Sequence, residues 1–258
     1  MTVARSFKLS PATQNILENK KQQPRLFRDG NNRILICRHL QLNESGNAVY
    51  NNICFAASAN RLLSLQHGRC DRLKNARTLV TTLQKPNNTI PQALTLILGK
   101  ILDDNCEVIN YLEERLQLLS AAYSEQDEHP DPKELLRLRR SLVTAKQAVY
   151  PMRRIVSRAL RQDPPLVIGS DNAPELLTIK LEGAVLTLSV AEELLTSLER
   201  LCVNAAAERS ADIQATLTTV AVIFLPLICI SSIFAMNFQY MPELKSNGAI
   251  RSALALWH

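Results

Sequence analysis

Residues Ala215–Met236 read ATLTTVAVIFLPLICISSIFAM, and no side chain between Asp212 and Glu243 carries a full charge. About 20 apolar residues span the roughly 30 Å hydrocarbon core of a bilayer. A buried soluble helix of this length without charge is uncommon. Pro226 costs a soluble helix about 3 kcal/mol. A membrane helix tolerates it better, because hydroxyl side chains and neighbouring helices satisfy the freed carbonyl. Phe238 and Tyr240 fall at the exit, where aromatic rings favour the interface. The segment is predicted to be a transmembrane helix.

Upstream, Leu181, Ala184, Leu188, Ala191, Leu195, Leu198, Cys202 and Ala205 lie three or four apart. No Pro or Gly interrupts the chain from Ala184 to Leu225. Seam and apolar segment therefore read as one helix, roughly 80–90 Å long at the α-helical rise. A second seam, Leu135, Leu138, Leu142, Ala145, Val149, Met152, Val156 and Ala159, has coiled-coil a/d spacing. A third helix is predicted from Thr89 to about Ser124. It is capped near Thr89-Ile90-Pro91 and carries Leu94, Ile97, Ile101, Val108, Leu112, Leu116 and Leu119. Acidic, proline-broken Glu125–Pro132 and the stretch Gln162–Pro174 read as the breaks between helices.

Before the helices, residues 1–32 read as polar and irregular. Arg33–Cys37, Val49–Ala56 and Arg61–Gln66 read as strands, with turns at Asn43–Asn47 and Ser58–Asn60. Three strands need helices to pack on. The fold class is therefore mainly α with a small α/β N-terminal region, its long stalk helix continuing into one transmembrane helix. The expected organisation is a partial cytosolic α/β region (1–88), a helical bundle or coiled coil (89–174), a stalk helix (175–214), the transmembrane helix (215–236), and a motif loop with an incomplete C-terminus (237–258).

Gly is scarce at 7 residues, and the net charge of +6 is spread along helices beside acids. That pattern suits solvated helix faces and argues against a nucleic-acid surface. The six cysteines form no C-x-x-C pair and the four histidines are scattered, so neither a zinc site nor a disulfide framework is expected. No Gly-rich phosphate loop, nucleophile elbow or H-E-x-x-H occurs, and no enzyme activity is expected. Met1–Ser10 has no apolar signal-peptide core, so the N-terminal side is expected in the cytosol. Arg200 and Arg209 before the span balance Lys245 and Arg251 after it, leaving the positive-inside rule silent. After Leu244 only 14 residues follow. The expectation is one crossing, or a second that is begun and not completed.

The stretch Ala235-Met236-Asn237-Phe238-Gln239-Tyr240-Met241-Pro242-Glu243-Leu244 resembles the CorA family of divalent-cation channels. That family carries Gly-Met-Asn, an aromatic, and often Tyr-Met-Pro-Glu-Leu after its first membrane helix. Ile223–Leu227 resembles that helix's core, and Ala148–Arg153 resembles the family's Leu-Trp-Pro-Leu-Arg stretch. Arg38–Asn43 resembles a strand end in its cytosolic domain. The likeness covers about residues 10–245 and is strongest from Leu135 onward.

The resemblance implies a homopentamer in the inner (plasma) membrane, with the N-terminal part cytosolic and self, lipid and divalent cations as partners. It implies transport of Mg2+, with Co2+ or Ni2+ as further cargo and no permanently bound cofactor. Transported or regulatory Mg2+ is the expected metal. Ala235, Met236 and Asn237 take the selectivity-motif positions, and Glu243 lies in the outer loop. Ala211, Gln214, Leu217, Ala221, Leu225, Ile228 and Ser232 match the pore face, with Leu217 and Leu225 as apolar constrictions. Asp171 and Glu175 match a regulatory metal position. Ala235 stands where the family has Gly, and Ala211 and Ile228 stand where members often carry polar pore residues. A chain shortened at both ends, and inactive as such, is one expectation. The alternatives are zinc transport by the related ZntB-like branch and, from another class, a non-transporting single-span scaffold or remnant.

Overall fold

The computed structural model describes residues 7, 9–19, 22–59, 61–66, 89–126, 131–162, 165–166 and 172–235. Among these described residues, eight elements follow in order: α1 (Pro11–Glu18), β1 (Arg25–Asp29), β2 (Asn32–Leu42), β3 (Ala48–Ala57), β4 (Leu62–Gln66), α2 (Ile90–Gln126), α3 (Pro132–Leu160) and α4 (Ala173–Ala235). The chain divides into two compact units, Met1–Arg200 and Leu201–His258. The protein is mainly helical with a small antiparallel sheet near its N-terminus.

The first unit corrects the expectation that residues 1–32 are irregular. They contain α1 and β1. Ser10 caps α1, its hydroxyl accepting from Thr13 N at 3.3 Å, and Pro11 takes the first helical position. Strand β1, RLFRD, holds only two apolar residues, so its pattern is too short to stand out. Its pairing is specified by the two-residue Gly30-Asn31 turn, with Gly30 at φ +57°. The sheet thus has four strands in the order β1-β2-β3-β4, all antiparallel.

Strand β2 runs past the expected Cys37 to Leu42, and its residues Ile34 to Leu40 are all buried. A strand covered on both faces reads as a continuous apolar run. On one face, Ile34, Ile36, Cys54 and Ala56 pack with Leu9 and Leu17 at α1. Helices α2 and α3 pack against β2 and β3. The β2–β3 turn is built by Asn43, whose side-chain oxygen accepts from Ser45 N at 3.1 Å and Asn47 N at 2.8 Å. Gly46 there adopts φ +72°.

Polar groups make the joints between sheet and helices. Asn105 of α2 acts as a substitute peptide for the part of β2 that β1 does not reach. Its oxygen accepts from Leu40 N at 2.7 Å, and its nitrogen donates to Arg38 O at 3.2 Å. His39 Nε2 meets Asp104 Oδ2 at 2.9 Å with both residues buried. Lys100 Nζ lies 3.0 Å from the other Asp104 oxygen. Ser141 of α3 accepts from Ala48 N at 3.1 Å.

The helical seams follow the sequence closely. All eight expected α3 seam residues are buried. Helix α3 starts earlier than expected, because Asp131 caps it by accepting from Lys133 N at 2.9 Å. Pro132 is therefore helical, and so are Glu125 and Gln126 at the end of α2. Leu119 of the α2 seam is only partly buried. Within the first unit, Leu181, Ala184, Leu188, Ala191, Leu195 and Leu198 of α4 are buried. Ion pairs tie this part of α4 to α2 and α3: Lys180–Asp103, Glu182–Arg153, Glu192–Lys146 and Glu199–Arg139. Each is partly exposed, so each contributes little alone and mainly sets register.

Candidate functional site

The second unit holds the C-terminal part of α4. The helix continues unbroken through Pro226 to Ala235. This helix is long and apolar enough to cross a membrane, and none of its most apolar stretch is buried within the chain. Leu217 is 64% exposed, Val222 66%, Leu225 66% and Ile228 59%. A helix that is apolar around its whole circumference needs a non-aqueous surrounding or partner helices.

Four of its hydroxyls are bonded within the helix. Thr216, Thr218, Thr219 and Ser232 each donate to the carbonyl four residues back, at 2.9, 2.8, 2.9 and 2.8 Å. Polar atoms bonded within their own helix enter hydrocarbon at low cost. Pro226 lacks an N–H, which leaves the Val222 carbonyl without its usual helical donor.

The structure places the expected pore-face residues Ala211, Gln214, Leu217, Ala221, Leu225, Ile228 and Ser232 along α4, all exposed. Successive members lie three or four apart, so they share one side of the helix. Ala235 is the last helical residue. Met236, Asn237 and Glu243 lie outside the described residues, as does Asp171. Glu175 sits in the first turn of α4, where a carboxylate complements the helix dipole. Among the described residues, no three His, Cys, Asp or Glu side chains gather in an arrangement suited to a metal.

The model of the CorA-like Mg2+ transporter protein family matches residues 2–256. The chain belongs to the CorA-like Mg2+ transporter family. The cobalt/magnesium transport protein CorA of Thermotoga maritima is 26% identical over 154 residues, which is 58% of this chain and 43% of that protein. The chain thus spans less than half the length of this curated relative. The CorA magnesium transporter of Methanocaldococcus jannaschii matches with a TM-score of 0.75 at 20% identity, over 99% of this chain and 81% of that one. The ZntB cytoplasmic domain of Vibrio parahaemolyticus matches with a TM-score of 0.65 at 15% identity, over 80% of this chain and 82% of that domain. These structural likenesses establish the CorA-like fold.

Sequence reasoning did not foresee the polar joints under the sheet. Arg38, His39, Asp104 and Asn105 are each 7% exposed or less. Burial pulls the Arg38 guanidinium below its ordinary value, with Tyr50 acting in the opposite sense. The signal for Asn105 was present: a carboxamide stands beside Asp104 on the apolar face of α2. Its partner on β2 is 67 residues away for the Arg38 contact, and no local pattern reports that.

Proposed function

We propose that this chain is a divalent-cation transport subunit, carrying Mg2+ as its principal cargo and Co2+ as a second. The C-terminal part of α4 crosses the inner membrane and lines a pore, and the N-terminal part lies in the cytosol. Five copies surround the pore. The observation that supports this most is the unbroken helix from a buried seam into an exposed, uncharged segment. An apolar surface of that extent calls for lipid on one side and identical helices on the other.

In this reading Asn237 carries selection. Mg2+ holds its water tightly and prefers oxygen ligands. A ring of neutral amide oxygens accepts hydrogen bonds from the hydrated ion without removing its shell. A ring of carboxylates would hold the ion too long for conduction. Leu217 and Leu225 form apolar constrictions that close the pore by excluding water. Ala235 places a methyl where relatives resembling this motif have Gly, and narrows the choice of backbone turn there.

Uptake of Mg2+ in cells lacking their own Mg2+ transporters tests this reading. Growth rescue at low Mg2+ by the wild type, and its loss in Asn237→Ala, is the expected result. Rescue that survives Asn237→Ala removes the motif from the mechanism. No rescue at all, with the chain present in the membrane, supports a non-transporting scaffold instead. Zinc flux without Mg2+ flux supports the zinc-transporting branch.

A further inference from the structure

Within the first unit α4 has two apolar faces. The seam from Leu181 to Leu198 is buried. On its outer side Leu176, Ile179, Gly183, Leu186 and Val190 follow steps of three and four, the a/d spacing of a second seam. The four large side chains of this seam lie between 38% and 67% exposed. Glycine weakens a helix interior, and a Cβ at Gly183 would meet nothing within 4 Å. The room it leaves is open to an incoming helix. Helix α3 carries a matching face: Leu136, Val143 and Tyr150 recur every seven residues and are exposed. Arg140 and Arg154 stand three or four residues from members of that line, on the same side.

Charge distinguishes the two faces. Helix α3 holds eight Lys and Arg against one acid, Glu134. From Ala173 to Glu199, α4 holds five Glu against one Lys. Three pairs within the chain, Lys146–Glu192, Arg153–Glu182 and Arg139–Glu199, use part of this difference. Arg137, Arg140, Arg154 and Arg158 on α3 and Glu193 on α4 are exposed and reach no opposite charge among the described residues.

We propose that the outer face of α4 docks against the outer face of α3 in a second copy of the chain, an interface that rests on the self-assembly proposed above and gives it a contact outside the transport segment. The apolar lines of the two helices cover each other, and the free arginines of one copy meet the acid-rich helix of the next. Pairing α3 with α3 would set arginine against arginine, and pairing α4 with α4 would leave the arginines unmatched. Two different patches therefore meet, and the contact is heterologous. Such contacts make a ring when the rotation between copies closes. Every residue of the interface belongs to the first unit.

Photocrosslinking of the full chain in membranes tests the interface. Benzoylphenylalanine in place of Leu186 is expected to join chains into a ladder on a denaturing gel. Mass spectrometry of the digested ladder is expected to find peptides that link α4 to α3. R140E/R154E/R158E is expected to lower the yield of linked chains at least about tenfold, since it sets acid against acid. These arginines are exposed, so the variant is expected to keep the helical circular dichroism of the unaltered chain, which separates lost docking from lost folding. No link between chains overturns the proposal. So does a ladder whose peptides join α4 to any element other than α3, or a yield that the triple variant leaves unchanged. Mg2+ uptake is read separately. Links from α4 to α3 in a chain that moves no Mg2+ keep the interface and remove the transport reading, and a transporting chain without those links does the reverse.

Discussion

Arg38 Nη1 donates at 2.7 Å to the backbone carbonyl of Gln147. That carbonyl lies four residues before Pro151, inside α3. Proline has no N–H, so the usual helical donor to the Gln147 oxygen is missing. A guanidinium from β2 occupies its place, and its face covers the Tyr50 ring at 4.1 Å. The defect in the helix is thus the point where the sheet is fastened to it. Arg38→Ala is expected to destabilise the chain by about 2–3 kcal/mol, from the exposed carbonyl and the lost packing. Pro151→Ala restores an internal donor for Gln147. The double variant Arg38→Ala/Pro151→Ala should therefore lose less than Arg38→Ala alone. Equal losses in urea denaturation would break the link between the two positions.

The His39–Asp104 pair is buried on both sides, and Asp104 keeps Lys100 as a second partner. Removing one member strands a polar or charged group in the core. His39→Ala or Asp104→Ala should each cost about 3 kcal/mol. The double variant should cost clearly less than their sum, because the stranded partner disappears too. Additive losses would show that the pair acts as two independent residues.

Asp29 gives the first unit a pH dependence. Its carboxylate accepts from Ser10 N at 2.8 Å, and this bond holds its pKa below the ordinary value. A carboxyl with a lower pKa in the folded state stabilises above its unfolded pKa, near 3.9. That contribution disappears as pH falls through the depressed folded value. Asp29→Asn should therefore be less stable than wild type at pH 7, by less than about 1 kcal/mol for a partly exposed group. Melting curves of the two should draw together as pH falls below about 4 and meet once it has passed the depressed folded value. A gap that persists in acid would assign the loss to packing.

Burial separates the thiols. Cys37 is pushed far up by burial, with Cys54 adding to the effect, and Cys54 is itself pushed up to about 11 by burial. The thiolate is the reactive form. At pH 8 iodoacetamide should modify the partly exposed Cys202 while Cys37 and Cys54 stay unmodified until the chain is denatured. Mass spectrometry of the digested protein reads this directly. Rapid modification of Cys37 in the folded chain would place β2 closer to solvent than its burial states.

Local rules were enough for the three long helices. The spacing of Leu135 to Ala159 marks a buried face because 3.6 residues per turn brings those positions together. The uncharged run after Asp212 marks a bilayer-length segment by composition alone. Strand β1 and helix α1 escaped notice for the opposite reason. Each carries too few apolar residues for a period, and each is held by contacts distant in sequence, such as Asp29 to Ser10. The motif residues Met236 and Asn237 were legible only through resemblance, and they lie outside the described residues.

The sequence by itself determined the long helix, its seam and the uncharged segment, since periodicity and hydrophobicity are properties of neighbouring residues. Only the tertiary structure decided what Arg38, His39 and Asn105 do. A polar side chain on an apolar strand can face water or a partner equally well, and the choice depends on which helix covers it. Here α2 and α3 cover it, and the missing N–H of Pro151 becomes a docking point rather than a break.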